Sequence, residues 1–385
     1  MPFYIPKFAK KSLMDKIIKI VLFLTVILSA CTSDKKDHPL KKGGIETYAF
    51  GKVNQILVVS DSSLWTGPVG DTFFYYFAGP YILTPQPEAI FDITHFTPQA
   101  FSKRGSRKEF RMILLVADMN DPDEATARMI RNDLGEQKLE QIRQGKGCSV
   151  VVGKDKWAKN QTIFYVVGFG EDKLADCIAS HFPVVAKRIN EEDKEIIEAT
   201  VYQADLNYDL KAEVLGQLGL ELRVPGDFKK AKNNTQLDAI WLRRDVRDAH
   251  IGIIVHKRPY TSKKQLSKAG MKEIINELGT MVSSWIVDSK MQVDDVNLPM
   301  FVETTSLDNK YAVVGRGIWE MDNDFKGGPF VCYEILDEKN GQLYVLYGYV
   351  FAPGEDKRNY LQEVEHIIRT AKIPELPKAV EAQDQ

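Results

Sequence analysis

The sequence predicts a two-lobed mixed protein, an α/β lobe followed by an α+β lobe whose antiparallel sheet is covered by helices. Three observations predict it. Short apolar runs alternate with helical stretches up to about residue 205, strand signals stand side by side from residue 206 onward, and the 385 residues exceed the roughly 100–200 of a single domain. Composition is that of a folded chain, with 44% hydrophobic and 27% charged residues.

The first lobe, residues 53–205, opens with Ile56-Leu57-Val58-Val59, an apolar run ending at Ser60-Asp61. Met112-Ile113-Leu114-Leu115-Val116 is a second such run, ending at Asp118-Met119-Asn120-Asp121-Pro122. Both read as buried strands feeding turns. Asp123-Glu124 then opens a helical stretch through Leu134, with acids in its first turn as the helix dipole favours. Val150 to Gly153 and Ile163 to Val167 supply two further strands. A helix from Glu171 is expected to stop and restart at Pro183, and its second part, through Lys187-Arg188 to Glu198, links the lobes.

In the second lobe, residues 206–373, Leu220 to Pro225 alternates as a strand does, followed by Ile240-Trp241-Leu242 and Ile251 to Val255. Met271, Ile274, Ile275, Leu278, Met281, Val282 and Trp285 form one stripe at helical period. Val313 to Trp319, Phe330 to Leu336 and Leu343 to Phe351 are strands separated by Lys326-Gly327-Gly328-Pro329 and by Lys339-Asn340-Gly341, the latter a hairpin signal. A last helix aligns Tyr360, Leu361, Val364, Ile367, Ile368 and Ala371, and residues 374–385 are a tail.

The N-terminus carries a separate message. A basic start, an apolar stretch from Ile20 to Leu28 and small residues before Cys31 have the form of a secretory signal over residues 1–30, too short to span a bilayer. Leu28-Ser29-Ala30-Cys31 resembles the cleavage and lipidation box of bacterial lipoproteins. The resemblance implies acylation of Cys31, and with it a partner in the lipid bilayer. A start at Met14 gives the more ordinary signal length. Residues 1–30 carry five Lys and one Asp, a net +4, so their removal takes the chain from −2 to −6. That balance excludes nucleic acid as a partner. Residues 31–52 form the lipidated cysteine and a polar tether. In Gram-negative lipoproteins Asp directly after the cysteine resembles an inner-membrane retention signal; here Thr32 stands there, which implies the outer membrane, facing the periplasm or the cell surface.

Two further resemblances concern the body. Trp65-Thr66-Gly67-Pro68-Val69-Gly70-Asp71 and Thr84-Pro85-Gln86-Pro87-Glu88 resemble an uncharacterised Bacteroidota lipoprotein family, defined as a domain of unknown function, which brings no catalytic residues to carry over. The second lobe, from Arg223-Val224-Pro225-Gly226-Asp227-Phe228 to the terminal helix, is similar in layout to the PsbP and Mog1 fold. Proteins of that layout are mostly binding or assembly modules.

Candidate chemistry is sparse. The segment from Trp65 to Asp71, followed by Phe73-Phe74-Tyr75-Tyr76-Phe77, is the densest aromatic and glycine cluster. Phe73, Phe74 and Phe77 at helical spacing favour core packing. A binding surface of Trp65, Tyr75 and Tyr76, with Asp61 and Asp71 at the mouth of a cleft, is the alternative, placed beyond a strand end where open α/β sheets bind ligands. Gly168-Phe169-Gly170-Glu171 lacks the third glycine of a dinucleotide fingerprint and reads as a turn and N-cap; no cofactor is expected. His250 and His256 share a strand face without further ligands, Asp118 to Pro122 reads as a turn, and Cys148, Cys177 and Cys332 read as buried free thiols, so no metal is expected. His95 has no recognisable Ser or Cys partner in sequence. These readings favour an envelope lipoprotein that binds an envelope protein or a small ligand without catalysis. An envelope hydrolase using Asp61 and Asp71 is the alternative.

Overall fold

The computed structural model describes residues 47–374 except Asp248, Trp285 and Val287. Cys31, the preceding signal, residues 32–46 of the tether and all of the tail beyond residue 374 lie outside the described residues.

The first half forms a five-stranded sheet. Its strands are β1 (Gln55–Val59), β2 (Asp92–Phe96), β3 (Met112–Asp118), β4 (Cys148–Lys154) and β5 (Thr162–Gly168), in the order β2-β1-β3-β5-β4. All pairings are parallel except β4 with β5. In β3 every residue from Met112 to Ala117 is buried, because helices cover both faces. On one face lie α1 (Ser62–Trp65), α2 (Pro68–Phe77) and the long helix that follows β5; on the other lie α3 (Pro98–Lys103), α4 (Ala125–Leu134) and α5 (Glu136–Gln144).

The long helix, α6 (Glu171–Val201), runs through Pro183 without a break, contrary to the expected restart. Its 31 residues span about 46 Å at 1.5 Å per residue. Leu174, Ile178, Val185 and Ile189 on either side of the proline all enter one core, and that shared burial outweighs the roughly 3 kcal/mol an interior proline costs. Farther along, Ile197 and Val201 enter the core of the second half.

The second half is an eight-stranded antiparallel sheet in the order β10-β11-β12-β13-β8-β7-β6, with β9 also on β11. The strands are β6 (Lys229–Asn234), β7 (Ala239–Val246), β8 (Ala249–Pro259), β9 (Met291–Asp294), β10 (Phe301–Leu307), β11 (Lys310–Met321), β12 (Asp324–Asp337) and β13 (Gln342–Phe351). One face packs on α7 (Tyr208–Leu218), the end of α6 and the terminal helix α9 (Arg358–Ile368). The other packs on α8 (Lys268–Gly279). The α/β and α+β halves expected from the sequence are therefore both present.

Several element assignments need correction. Leu220, Leu222 and Val224 are buried as the alternation implies, but the segment makes only isolated bridges, Glu221 with Lys372 and Pro225 with Leu206, and is not a strand. Lys326 to Pro329 lies inside β12, and the β11–β12 turn falls at Asp322-Asn323. The glycines there serve close approach: a Cβ on Gly328 would lie 1.9 Å from the Val350 carbonyl. Helix α8 stops at Gly279, so buried Met281 and Val282 lie beyond it. The first turn of α4 holds no acid, Glu124 being its N-cap residue.

The two halves are joined by polar contacts as well as by α6. Both Glu88 oxygens accept amides at the start of α9, from Lys357 at 2.9 Å and Arg358 at 2.8 Å. The Arg358 guanidinium pairs with Asp92 at 2.9 Å, and Asn54 Nδ2 donates to Asn359 and Gln362 at 2.9 and 2.7 Å.

Candidate functional site

Of the sequence-predicted residues, Asp61 and Trp65 follow the carboxyl end of β1, whereas Tyr75 and Tyr76 lie in the last turn of α2, where Phe77 meets Phe91 just before β2. Asp61 caps α4: its two oxygens accept the Ala125 and Thr126 amides at 3.1 and 2.8 Å. Asp71 sits in the first turn of α2 and is exposed. Trp65 stacks on His95 at 4.3 Å between ring centroids and leans on Phe73 and Phe74. A Cβ on Gly70 would fall 1.8 Å from the Trp65 carbonyl, which is why that segment needs glycine. Phe73 and Phe77 fill the core as expected, whereas Phe74 is 45% exposed. Tyr75 is 76% exposed and meets Tyr76 edge-on.

Two features of this corner escaped the sequence. His95 does have a serine partner, Ser60, whose Oγ lies 3.0 Å from His95 Nε2; the same nitrogen is 3.2 Å from the Ser60 carbonyl. Burial holds the His95 imidazole below its usual pKa. Ser60 is itself fully buried. Glu124 is pushed up to about 7, first by burial and then by the charge of Asp61. Asp118 accepts the Gly170 amide at 2.7 Å, so a carboxylate occupies the turn that lacked the dinucleotide pattern.

A cleft of about 500 Å³ lies instead on the α8 face of the second sheet. Its size is in the range of small-ligand sites. Its wall is aromatic because β7, β11 and β13 turn Trp241, Trp319, Tyr349 and Phe351 to the same face. Trp319 and Tyr349 meet edge-on at 5.5 Å, and Trp319 Nε1 donates to the Val350 carbonyl at 3.3 Å. The Trp241 indole nitrogen is buried with no hydrogen-bond partner among the described residues. Burial raises the Tyr349 phenol, which therefore stays neutral.

Polar groups edge this wall. Arg243 Nε donates to Asp245 at 2.6 Å, and His250 Nδ1 lies 2.6 Å from the same carboxylate. Lys326 pairs with Asp324 at 2.8 Å and donates to Ser284 Oγ at 3.0 Å, while the Ser284 hydroxyl donates to Asp324. The edge thus has its charges balanced, and the aromatic wall supplies ring faces. No single motif announces such a site, since its residues come from six separate segments. His250 and His256 do share a strand, but His250 edges the cleft and His256 is buried with its Nδ1 near the Asp238 carbonyl.

The cysteines fall differently from expectation. Cys177 and Cys332 are buried free thiols, but Cys148 is half-buried, and Cys148, Cys177 and His181 form a group.

No curated protein sequence matches the chain. Among solved structures it is similar to the Ran-binding protein Mog1p of Saccharomyces cerevisiae, at 10% identity over 40% of this chain and 90% of that one, with a TM-score of 0.27. A Mog1 point mutant gives the same figures. It is also similar to LpqN of Mycobacterium tuberculosis, described as involved in cell envelope biogenesis, at 14% identity over 40% and 83% of the two chains, with a TM-score of 0.26. The Mog1 likeness read from the sequence thus recurs, but at such scores it bears no functional weight. Residues 49–201 match the domain of unknown function DUF8532, and residues 207–370 match the domain of unknown function DUF4837.

Proposed function

We propose that this protein is a lipid-anchored module of the cell envelope that works by binding, holding a small ligand with a ring face and polar edges in the aromatic cleft of its second sheet. The observation that carries the proposal is the cleft itself. Four aromatic side chains form its wall, with Arg243, His250, Ser284 and Lys326 around it. Aromatic faces stack on planar or sugar rings, and the balanced charges at the edge favour hydrogen bonding over capture of a net charge.

The hydrolase alternative has Glu124, near 7, as its main support. Against it, both oxygens of Asp61 are taken by the cap of α4, Asp71 stands exposed on α2, and the Ser60 hydroxyl is buried.

The binding reading is tested with N-phenyl-1-naphthylamine, an uncharged aromatic probe that fluoresces in apolar sites. About one equivalent is expected to bind, and Phe351→Ala with Lys326→Ala weakens it about tenfold, equivalent to about 1.4 kcal/mol. Undiminished binding in that double variant sinks the cleft as the ligand site.

Anchoring rests on Leu28-Ser29-Ala30-Cys31. Among the described residues no helix is long and apolar enough to cross a membrane. Cys31→Ser is expected to abolish labelling by radioactive palmitate and to release the protein from the membrane fraction. Retained acylation in that variant overturns the anchor. Thr32 after the cysteine supports the outer membrane as its place.

A further inference from the structure

Cys148 begins β4 at the edge of the first sheet, and Cys177 and His181 lie one turn apart on α6, hence on one helix face. The two Sγ atoms and a ring nitrogen of His181 all lie within 4.8 Å of one another, and Cys177 Sγ is 3.6 Å from His181 Nδ1. Cys177 is fully buried, whereas Cys148 and His181 are half-buried, so the group can be reached from solvent.

These spacings are close to those a metal centre needs. A tetrahedral zinc ion with Zn–S near 2.3 Å and Zn–N near 2.05 Å sets a sulfur and a nitrogen about 3.5 Å apart and two sulfurs about 3.8 Å apart. The Cys177–His181 pair already has the first separation, and the rest of the group has to close by no more than about 1.3 Å. The donor set is two thiols and an imidazole with no carboxylate, which selects soft or borderline cations over magnesium or calcium.

We propose that Cys148, Cys177 and His181 bind a thiophilic d10 cation, zinc(II) or copper(I), that ties β4 to α6 and leaves one coordination position to solvent. On binding, both thiols release their protons to solvent and the cation replaces them. Burial and the neighbouring Cys148 hold the Cys177 thiol well above its ordinary pKa, so without a cation it stays protonated. His181 Nδ1 now lies 3.0 Å from the Cys177 carbonyl and 3.1 Å from Ser180 Oγ. Ligation through that nitrogen places the ring proton on Nε2. The sequence signal was the Cys177-x-x-x-His181 spacing on a helix, whose third ligand only the fold brings in.

The test uses the full chain, reduced and stripped of metal. It is titrated with zinc(II) against a chromophoric chelator, with copper(I) under anaerobic conditions, and with cobalt(II) as an optical probe. One equivalent is expected to bind, with thiolate-to-cobalt charge-transfer absorption. Cys148→Ser and His181→Gln, both at half-buried positions, should each weaken binding by more than about 100-fold, beyond what loss of an outer-shell partner costs. The circular dichroism of both variants should match that of the metal-free parent. Uptake of one ion and not the other identifies the cation. Absence of binding by the reduced chain, binding that survives both variants, or a Cys148–Cys177 disulfide in protein taken from cells overturns the proposal.

Discussion

Asp193→Ala is expected to lower the stability of the fold by about 3–5 kcal/mol, the cost of leaving a buried charge without its partner. Asp193 lies on α6, 1% exposed, and pairs with Arg111, itself 5% exposed. Its second oxygen accepts the Asn54 amide at 2.8 Å. Removing the carboxylate strands a guanidinium whose other links are weak: Nη2 reaches the Lys52 carbonyl at 3.3 Å, and Nε and Nη1 have no hydrogen-bond partner among the described residues. Urea denaturation measures the loss. The double variant Arg111→Met with Asp193→Leu should recover most of it, because an apolar pair of similar volume often replaces a buried ion pair without loss. A single-variant cost below about 1 kcal/mol would mean that water reaches the pair.

The second large effect depends on pH. Glu334 on β12 is fully buried, and neither carboxylate oxygen has a hydrogen-bond partner among the described residues. Burial pushes it up to about 8, with Arg258 pulling weakly the other way. The folded state therefore keeps the proton that the unfolded chain releases near 4.5. Between pH 4.5 and 8 the native state binds more protons than the unfolded one, so stability falls as pH rises through that window and levels off above it. The total is a few kcal/mol at about 1.4 kcal/mol per unit. Glu334→Gln removes the titration. Its unfolding free energy should match the parent near pH 5 and exceed it by about 4 kcal/mol near pH 9. Parallel profiles for the two proteins would show that Glu334 titrates normally.

What could be read from sequence follows physical lines. Strands β1, β3 and β5 were legible because burial on both faces makes them continuous apolar runs, and α9 because its stripe recurs at helical period. Strand β6, Lys229–Asn234, was not, since an exposed edge strand carries lysines and asparagines in place of an apolar signal. Helix α7 had its marks, the Asn207 side chain accepting the Leu210 amide and left-handed Gly219 after its end, but its apolar stripe is short. Leu220 to Pro225 alternated correctly for burial yet had no strand beside it; alternation reports a buried face, and pairing is a tertiary matter. The candidate site was hardest of all. Asp61 looked like an acid at a cleft mouth and proved to be a helix cap, while the aromatic cleft draws single residues from strands far apart in the chain.

The contact of Glu88 with α9 has a consequence for dividing the chain. The first amides of the last helix are satisfied by a carboxylate 269 residues earlier, in the other matched domain. A gene rearrangement that separated the two halves would leave that helix end bare and Arg358 without Asp92. Each half on its own would therefore expose polar groups that the other half satisfies, so the two are expected to be less stable apart than together.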